Sequence, residues 1–311
     1  MAERKQVAFV GLGAMGWGIA ANLAAAAKDG KIASPVLVWN RTTLKSEQHE
    51  ARHGTRCARA LSDVSQADVI ITCLPTSSEV ATIASELAPA LKGGSVWIDC
   101  TSGDPDSTKD ISRTLQEAGV TLIDCPVSGG PDGAASGQLT AMVGGDSNVF
   151  AHSVITLFAK KKVVHCGPVG AGHAVKATNN CLNAAHLIVA GEALLALKKW
   201  GVQPELALQA INASSGRSLQ TEVRIPTEVL TRRFDYGFKL GLMLKDVRIA
   251  VDGITACQGE RRDTSMLPAV KKMLEQSVDA QGYDVDYTGV LRTLELEAGC
   301  DLRGSAVPTV P

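Results

Sequence analysis

The chain has 311 residues, 45% of them hydrophobic and 20% charged, with a formal net charge of −1. That length leaves room for two domains and a sizeable core. The near-zero charge excludes any general electrostatic pull towards nucleic acid or an anionic membrane, so the expected partner is a small molecule in a local pocket.

In chain order, strand-like apolar runs fall at 6–11 (QVAFVG), 35–40 (PVLVWN), 69–74 (VIITCL), 95–100 (SVWIDC), 121–126 (TLIDCP), 140–145 (TAMVGG) and 162–167 (KVVHCG). Helical stretches such as 78–91 and 105–119 lie between most of them. Short all-apolar runs alternating with amphipathic helices predict a parallel sheet covered on both faces. Beyond Gly172 no convincing strand remains. Residues 174–201 read as one long helix, apolar nearly all round, the expected spine of a helical domain. Gly201 stops it and Pro204 opens the next. Further helices are expected at about 219–231, 239–258, 265–281 and 286–298, and the tail SAVPTVP is expected to fray.

The eight cysteines include no CxxC pair and no Cys/His cluster at zinc-ligand spacing, so no metal is expected. Cys73, Cys100 and Cys125 each lie at the end of an apolar run and read as buried small hydrophobes, which suits a reducing compartment. The first strand begins at Gln6 or Val7, leaving no room for a presequence. No apolar stretch of membrane-spanning length escapes a charge, Gly or Pro. A soluble cytoplasmic protein is expected, unless a transit peptide has been removed upstream.

In VAFVGLGAMG, Gly11, Gly13 and Gly16 have GxGxxG spacing between a strand and a helix. Each glycine has a physical task in a dinucleotide site: a tight turn, access of a pyrophosphate to the backbone, and close helix–strand packing. Leu12, Ala14 and Met15 fill the loop, and the helix N-terminus offers free N–H groups to the phosphates. The fold class is therefore α/β, a Rossmann-like dinucleotide-binding domain over 1–168 followed by an all-helical domain over 169–311, joined by a long helix.

The second strand ends in WNRTT. An acid there would bind the adenosine ribose hydroxyls and repel a 2′-phosphate. Asn40 stands in its place, with Arg41 and then Thr42 and Thr43, and arginine pairs well with phosphate, so NADP is favoured over NAD. At the later strand ends, Leu74 and Pro75 are placed to flank the nicotinamide riboside, and Thr101 and Ser102 to offer it hydroxyls.

Ser128, Gly129 and Gly130 follow a strand end, and their small size would leave backbone N–H groups free for a substrate carboxylate. In GAGHAVKATNN (170–180), Lys176 and Asn180 share a helix face, with Asn179 close to it. A lysine on an apolar helix is costly to bury, and desolvation suits it to proton transfer near neutral pH. Asn180 would hold the ammonium and orient the substrate, and Gly172 would leave room beside Lys176. His173 reads as structural or exposed, and Lys160–Lys162 as a solvated loop. Lys245, on an apolar helix, either reaches the cofactor, the favoured reading, or is neutralised by Asp246. Ser215 and Arg217 either select substrate or simply end a helix.

Together, VGLGAMGWGIAANL, DCPVSGG, GAGHAVKATNN and LMLKDVRIA resemble the β-hydroxyacid dehydrogenase family over nearly the whole chain. The resemblance implies Lys176 as catalytic lysine, Asn180 as its helper, Lys245 at the cofactor site, a small carboxylate substrate, and a homodimer or homotetramer. SSGR and GFKLGLMLKD lean towards the 3-hydroxyisobutyrate dehydrogenase branch, whereas WNRT looks more like the NADPH-dependent semialdehyde reductases (glyoxylate, succinic, tartronate). An imine reductase would generally lack the lysine, and a non-catalytic binding module would show damaged catalytic positions; Ser128, Lys176 and Asn180 are all present.

Overall fold

A computed structural model describes residues 4–146, 153–258 and 266–304. The chain divides into two compact units, Met1–Ala177 and Thr178–Pro311. The sequence places its domain boundary after residue 168, at the last strand. The compact units meet nine residues later, because the first turns of the long helix are tied to the sheet by buried side chains described below.

The first unit is built on a nine-stranded sheet. Its strands are β1 (Val7–Val10), β2 (Leu37–Trp39), β3 (Arg56–Cys57), β4 (Val69–Thr72), β5 (Val96–Asp99), β6 (Thr121–Asp124), β7 (Val127–Ser128), β8 (Thr140–Gly144) and β9 (Lys162–Gly167). The spatial order is β3-β2-β1-β4-β5-β6-β8-β7, with β9 also paired to β8. All neighbours from β3 to β6 are parallel. The order reverses between β1 and β4, the switch point at whose carboxyl edge open α/β sheets bind ligands. Residues of β1, β4 and β5 are buried throughout, which is why these strands read as unbroken apolar runs. Their side chains feed two cores on opposite faces, one around Phe9, Ile71 and Ile98, the other around Val10, Ile70 and Trp97.

The sequence pattern predicts a parallel sheet, and the structure departs from it at one end. β8 runs antiparallel to β6 and β7. Gly129 (φ +144°) and Gly130 (φ +67°) turn the chain back directly after β7, and the helix that follows, Gly130–Ser136, has seven residues. That helix crosses the glycine-loop helix α1 (Ala14–Lys28) closely: a Cβ on Gly18 would lie 2.6 Å from the Ala134 carbonyl carbon. Asn22 Nδ2 donates to Gly18 O within α1 and to Ala134 O across the crossing, both at 2.9 Å.

The second unit is helical. It holds the larger part of a 29-residue helix (Ala171–Lys199), which by length and composition alone could cross a membrane but buries Leu187, Ile188, Leu194 and Leu195 in this structure. A Cβ on Gly191 would stand 2.4 Å from Leu291 Cδ2, so the glycine allows a tight crossing with the helix Val290–Ala298. Helices also span Pro204–Asn212, Leu240–Gln258 and Leu267–Gln281. The helix expected near 219–231 is a π-helix, Gln220–Val229, with Pro226 inside it. Proline has no N–H and its ring crowds the preceding turn, which disfavours regular α-helical closure there. Leu230 N–H instead reaches Ile225 O at 2.9 Å. The expected frayed tail and the start of the 265–281 helix lie outside the described residues.

Candidate active site

The glycine loop lies at the end of β1. Gly11 has φ +103°, and a Cβ there would come within 2.4 Å of Cys73 O. A Cβ on Gly16 would sit 1.9 Å from Gly11 O, so the helix can approach its own strand only with glycine at this position. At Gly13 a Cβ would meet nothing within 4 Å. Gly13 and Ala14 are exposed, Leu12 is buried, and Met15 is half-buried against the core. Gly13 is the N-cap of α1, with no side-chain cap and no acid in the first turn. Open space in front of uncapped helix amides is what a dinucleotide pyrophosphate requires, so the residues present fit that group.

Asn40 is part of the loop's scaffold. Its Oδ1 accepts from Leu12 N–H at 2.9 Å and its Nδ2 donates to Thr42 O at 3.1 Å. Arg41 is exposed and has no ion pair among the described residues. Thr42 caps α2 (Thr43–His53) without using its hydroxyl. Behind this region, His49 is fully buried between Thr55 Oγ1 (2.9 Å from Nδ1) and Trp17 O (3.2 Å from Nε2). Its ring packs edge-on against Trp17, with centroids 4.8 Å apart. Burial pushes its pKa down to about 4, against a smaller upward pull from the Trp17 carbonyl.

The carboxyl edge of β4 and β5 is held by a buried network. Thr72 Oγ1 donates to Asp99 Oδ1 at 2.9 Å, and Trp97 Nε1 donates to Thr72 Oγ1 at 3.0 Å. Asp99 Oδ1 also accepts from Thr101 N–H at 3.0 Å. Thr101 is buried and its Oγ1 accepts from Leu74 N–H at 3.1 Å, so this hydroxyl fixes the Leu74–Pro75 turn. Pro75 is exposed, and Leu74 and Ser102 are half-buried. Three thiols end these strands. Burial pushes the Cys73 thiol up to about 12, and a hydrogen bond with Cys125 together with burial pushes Cys100 well above its usual range.

Ser128 pairs with Thr140 as part of β7, rather than lying in a loop. Gly129 and Gly130 then take positive φ at the start of the Gly130–Ser136 helix, presenting backbone that L residues rarely adopt. A Cβ on Gly129 would lie 2.9 Å from Leu139 Cδ2.

Lys176 lies on the Ala171–Lys199 helix and is only 9% exposed. One turn earlier, His173 is fully buried: Nδ1 is 2.7 Å from Thr108 Oγ1 and Nε2 is 3.9 Å from Asp99 Oδ2. Gly172 serves packing against the sheet: a Cβ there would lie 2.4 Å from Met142 O and 2.8 Å from Asp124 Oδ2. In the second unit, Asn180 Nδ2 donates to the buried Asp246 Oδ2 at 2.6 Å, and Lys245 Nζ pairs with Asp246 Oδ1 at 3.0 Å. Asn179 Nδ2 donates to Asn180 Oδ1 at 3.3 Å. Ser215 and Arg217 are exposed in the turn before the π-helix, and Lys160 and Lys161 are exposed just before Lys162 opens β9. Asp99, Asp124 and Asp246 are missed as site residues from sequence. The repeated WIDC and LIDC endings of β5 and β6 carry a signal for the first two, since each sets an acid at the carboxyl edge of a buried strand.

A sheet with this strand order and an open, uncapped glycine loop defines a dinucleotide-binding protein. Residues 6–167 match the family model described as the NAD binding domain of 6-phosphogluconate dehydrogenase. Residues 170–294 match that described as NAD-binding of NADP-dependent 3-hydroxyisobutyrate dehydrogenase. The chain is 32% identical to the mitochondrial 3-hydroxyisobutyrate dehydrogenase of Rattus norvegicus, over 96% of this chain and 89% of that protein. It is 33% identical to the 2-(hydroxymethyl)glutarate dehydrogenase of Eubacterium barkeri, over 81% and 83% respectively. The solved structure of Mycobacterium tuberculosis 3-hydroxyisobutyrate dehydrogenase with L-serine superposes with a TM-score of 0.83 at 28% identity, covering 94% of this chain and 99% of that one. The chain belongs to the β-hydroxyacid dehydrogenase family, and is an NAD(P)-dependent oxidoreductase acting on CH–OH groups.

Proposed function

We propose that this dehydrogenase interconverts a short β-hydroxy acid of the 3-hydroxyisobutyrate kind and the corresponding aldehyde, with NADP(H) preferred to NAD(H). The observation that carries the reading is Lys176, a nearly buried lysine one turn beyond a helix start that is fixed to the end of β6 and to Thr108 of the helix Pro105–Glu117. The nicotinamide, when bound, supplies or takes up the hydride. Lys176 Nζ takes the hydroxyl proton in oxidation and returns it to the forming alkoxide in reduction. Backbone amides of the Ser128–Gly130 turn hold the carboxylate, which sets the distance of the reacting carbon from the lysine. Asn180, oriented by Asp246, is the second polar group on the lysine's helix.

The exposed, unpaired Arg41 supports the NADP preference. It equally favours a second reading, reduction of a semialdehyde with NADPH as the working direction. Exposed Leu182, Val189, Trp200 and Leu206 in the helical unit support self-association into a homodimer or homotetramer. Sedimentation as a monomer would remove that part of the reading.

The test of the chemistry is Lys176→Ala, assayed at the nicotinamide absorbance over a panel of hydroxy acids and aldehydes. Turnover is expected to fall by about 10²–10⁴-fold, the range for one acid/base group, with coenzyme binding retained. Wild-type turnover in this variant would refute the assignment.

A further inference from the structure

Asp124 ends β6 with no exposed surface, and the chemistry above makes no use of it. Its Oδ1 accepts from Gly170 N–H at 2.7 Å and its Oδ2 from His173 N–H at 2.9 Å. These amides belong to the start of the Ala171–Lys199 helix, where a helix cannot satisfy its own donors. A carboxylate there gains from the helix dipole and makes the stronger, charge-assisted kind of hydrogen bond.

An ordinary N-cap is a neighbour in sequence. This one arrives from a strand 46 residues before Gly170, so it fixes where the helix begins on the sheet. Two glycines allow the close approach. A Cβ on Gly144 would lie 2.4 Å from Asp124 Oδ1, and one on Gly172 would lie 2.8 Å from Oδ2. The first turn is thus seated directly on the carboxylate. Lys176 follows His173 by three residues, close to one turn.

We propose that Asp124 is a positioning residue: by holding the first-turn amides, it sets the rotation and depth at which Lys176 enters the chemistry. The proposal rests on the reading of Lys176 as the proton carrier. A displacement of about 1 Å at a reacting group can cost on the order of 100-fold in rate, so a loosened helix start is read out at the lysine.

Asp124→Asn preserves size and one acceptor oxygen, but sets an NH2 group against the other amide. Its kcat is expected to fall about 10–100-fold, with KM and the coenzyme dissociation constant within about threefold of wild type and cooperative melting retained. Gly144→Ala keeps the carboxylate and pushes it off the amides, since the three nearest atoms to a Cβ there all belong to the Asp124 side chain. It is expected to give the same split between kcat and KM, and serves if the first variant does not fold. The deciding measurement is the residual turnover of Lys176→Ala, alone and combined with Asp124→Asn, with and without added methylamine. A positioning role predicts that Asp124→Asn costs nothing further once the lysine is gone. Equal losses in both backgrounds, or wild-type kcat in Asp124→Asn, would overturn the proposal while leaving the lysine reading intact. Wild-type turnover in Lys176→Ala alone would overturn both.

Discussion

His173 Nδ1 stands 2.7 Å from Thr108 Oγ1, with both residues fully buried, and this contact ties the helix that carries Lys176 to the helix Pro105–Glu117. Thr108→Val keeps the shape and removes the oxygen. The ring nitrogen is then buried without that partner, which is expected to cost about 1–3 kcal/mol. Urea unfolding should show a lower midpoint at unchanged slope, and an unchanged midpoint would show that the contact carries no stability.

Gly13 and Gly16 are expected to respond in opposite ways to the same substitution. Gly13→Ala has open space and an ordinary φ of −78°, so stability should hold while the new methyl group obstructs the pyrophosphate and weakens coenzyme binding. Gly16→Ala meets backbone at 1.9 Å and is expected to destabilise the fold by at least about 1–3 kcal/mol, the usual cost of overpacking. Thermal melts beside coenzyme titrations separate the two.

Arg41→Ala should raise KM for NADPH about tenfold or more and leave KM for NADH nearly unchanged. Hydrogen bonds to charged groups contribute about 1.5–3 kcal/mol, and every 1.4 kcal/mol is a factor of ten. Parallel steady-state assays with both coenzymes check this. A wild type that uses the two equally would show that the guanidinium does not grip a phosphate.

The folded state keeps His49 neutral, with its pKa pushed down to about 4 from the usual 6.5, chiefly by burial. Below pH 6.5 the unfolded chain takes up a proton at this ring that the folded chain refuses. Stability is therefore full above that pH and is lost as pH falls towards 4, by no more than about 3 kcal/mol at 1.36 kcal/mol per pH unit. His53 is shifted the same way, again chiefly by burial. Melting temperatures across this range should fall with acid, and His49→Phe should flatten the slope. An unchanged slope in the variant would place the proton uptake elsewhere.

The nucleotide-binding half was legible because β1, β4 and β5 are buried on both faces and because Gly11 and Gly16 each relieve a contact that a side chain would make impossible. The reversal at β8 was not, since a strand's direction depends on where the chain turns, and Gly129 and Gly130 read equally well as flexible connection. Pro226 was visible inside a helical pattern, but whether it breaks, kinks or widens a helix is decided by packing. At the site, Lys176 stood out as a charge on an apolar helix. Asp99 and Asp124 did not, because the contacts that mark them come from far along the chain: Asp99 accepts from Thr72 across 27 residues, and Asp124 reaches Gly170 and His173. Asn40 was read as a missing acid, whereas the structure uses it to brace Leu12 and Thr42.

The three thiols at the carboxyl edge bear on how the enzyme would withstand oxidative insult. Only the deprotonated sulfur attacks peroxides or alkylating reagents. With Cys73 held near 12 and Cys100 pushed well up, these two sulfurs stay protonated and inert at physiological pH. At Cys73 and Cys100 sulfur thus fills space as a hydrocarbon would, closed to sulfenylation.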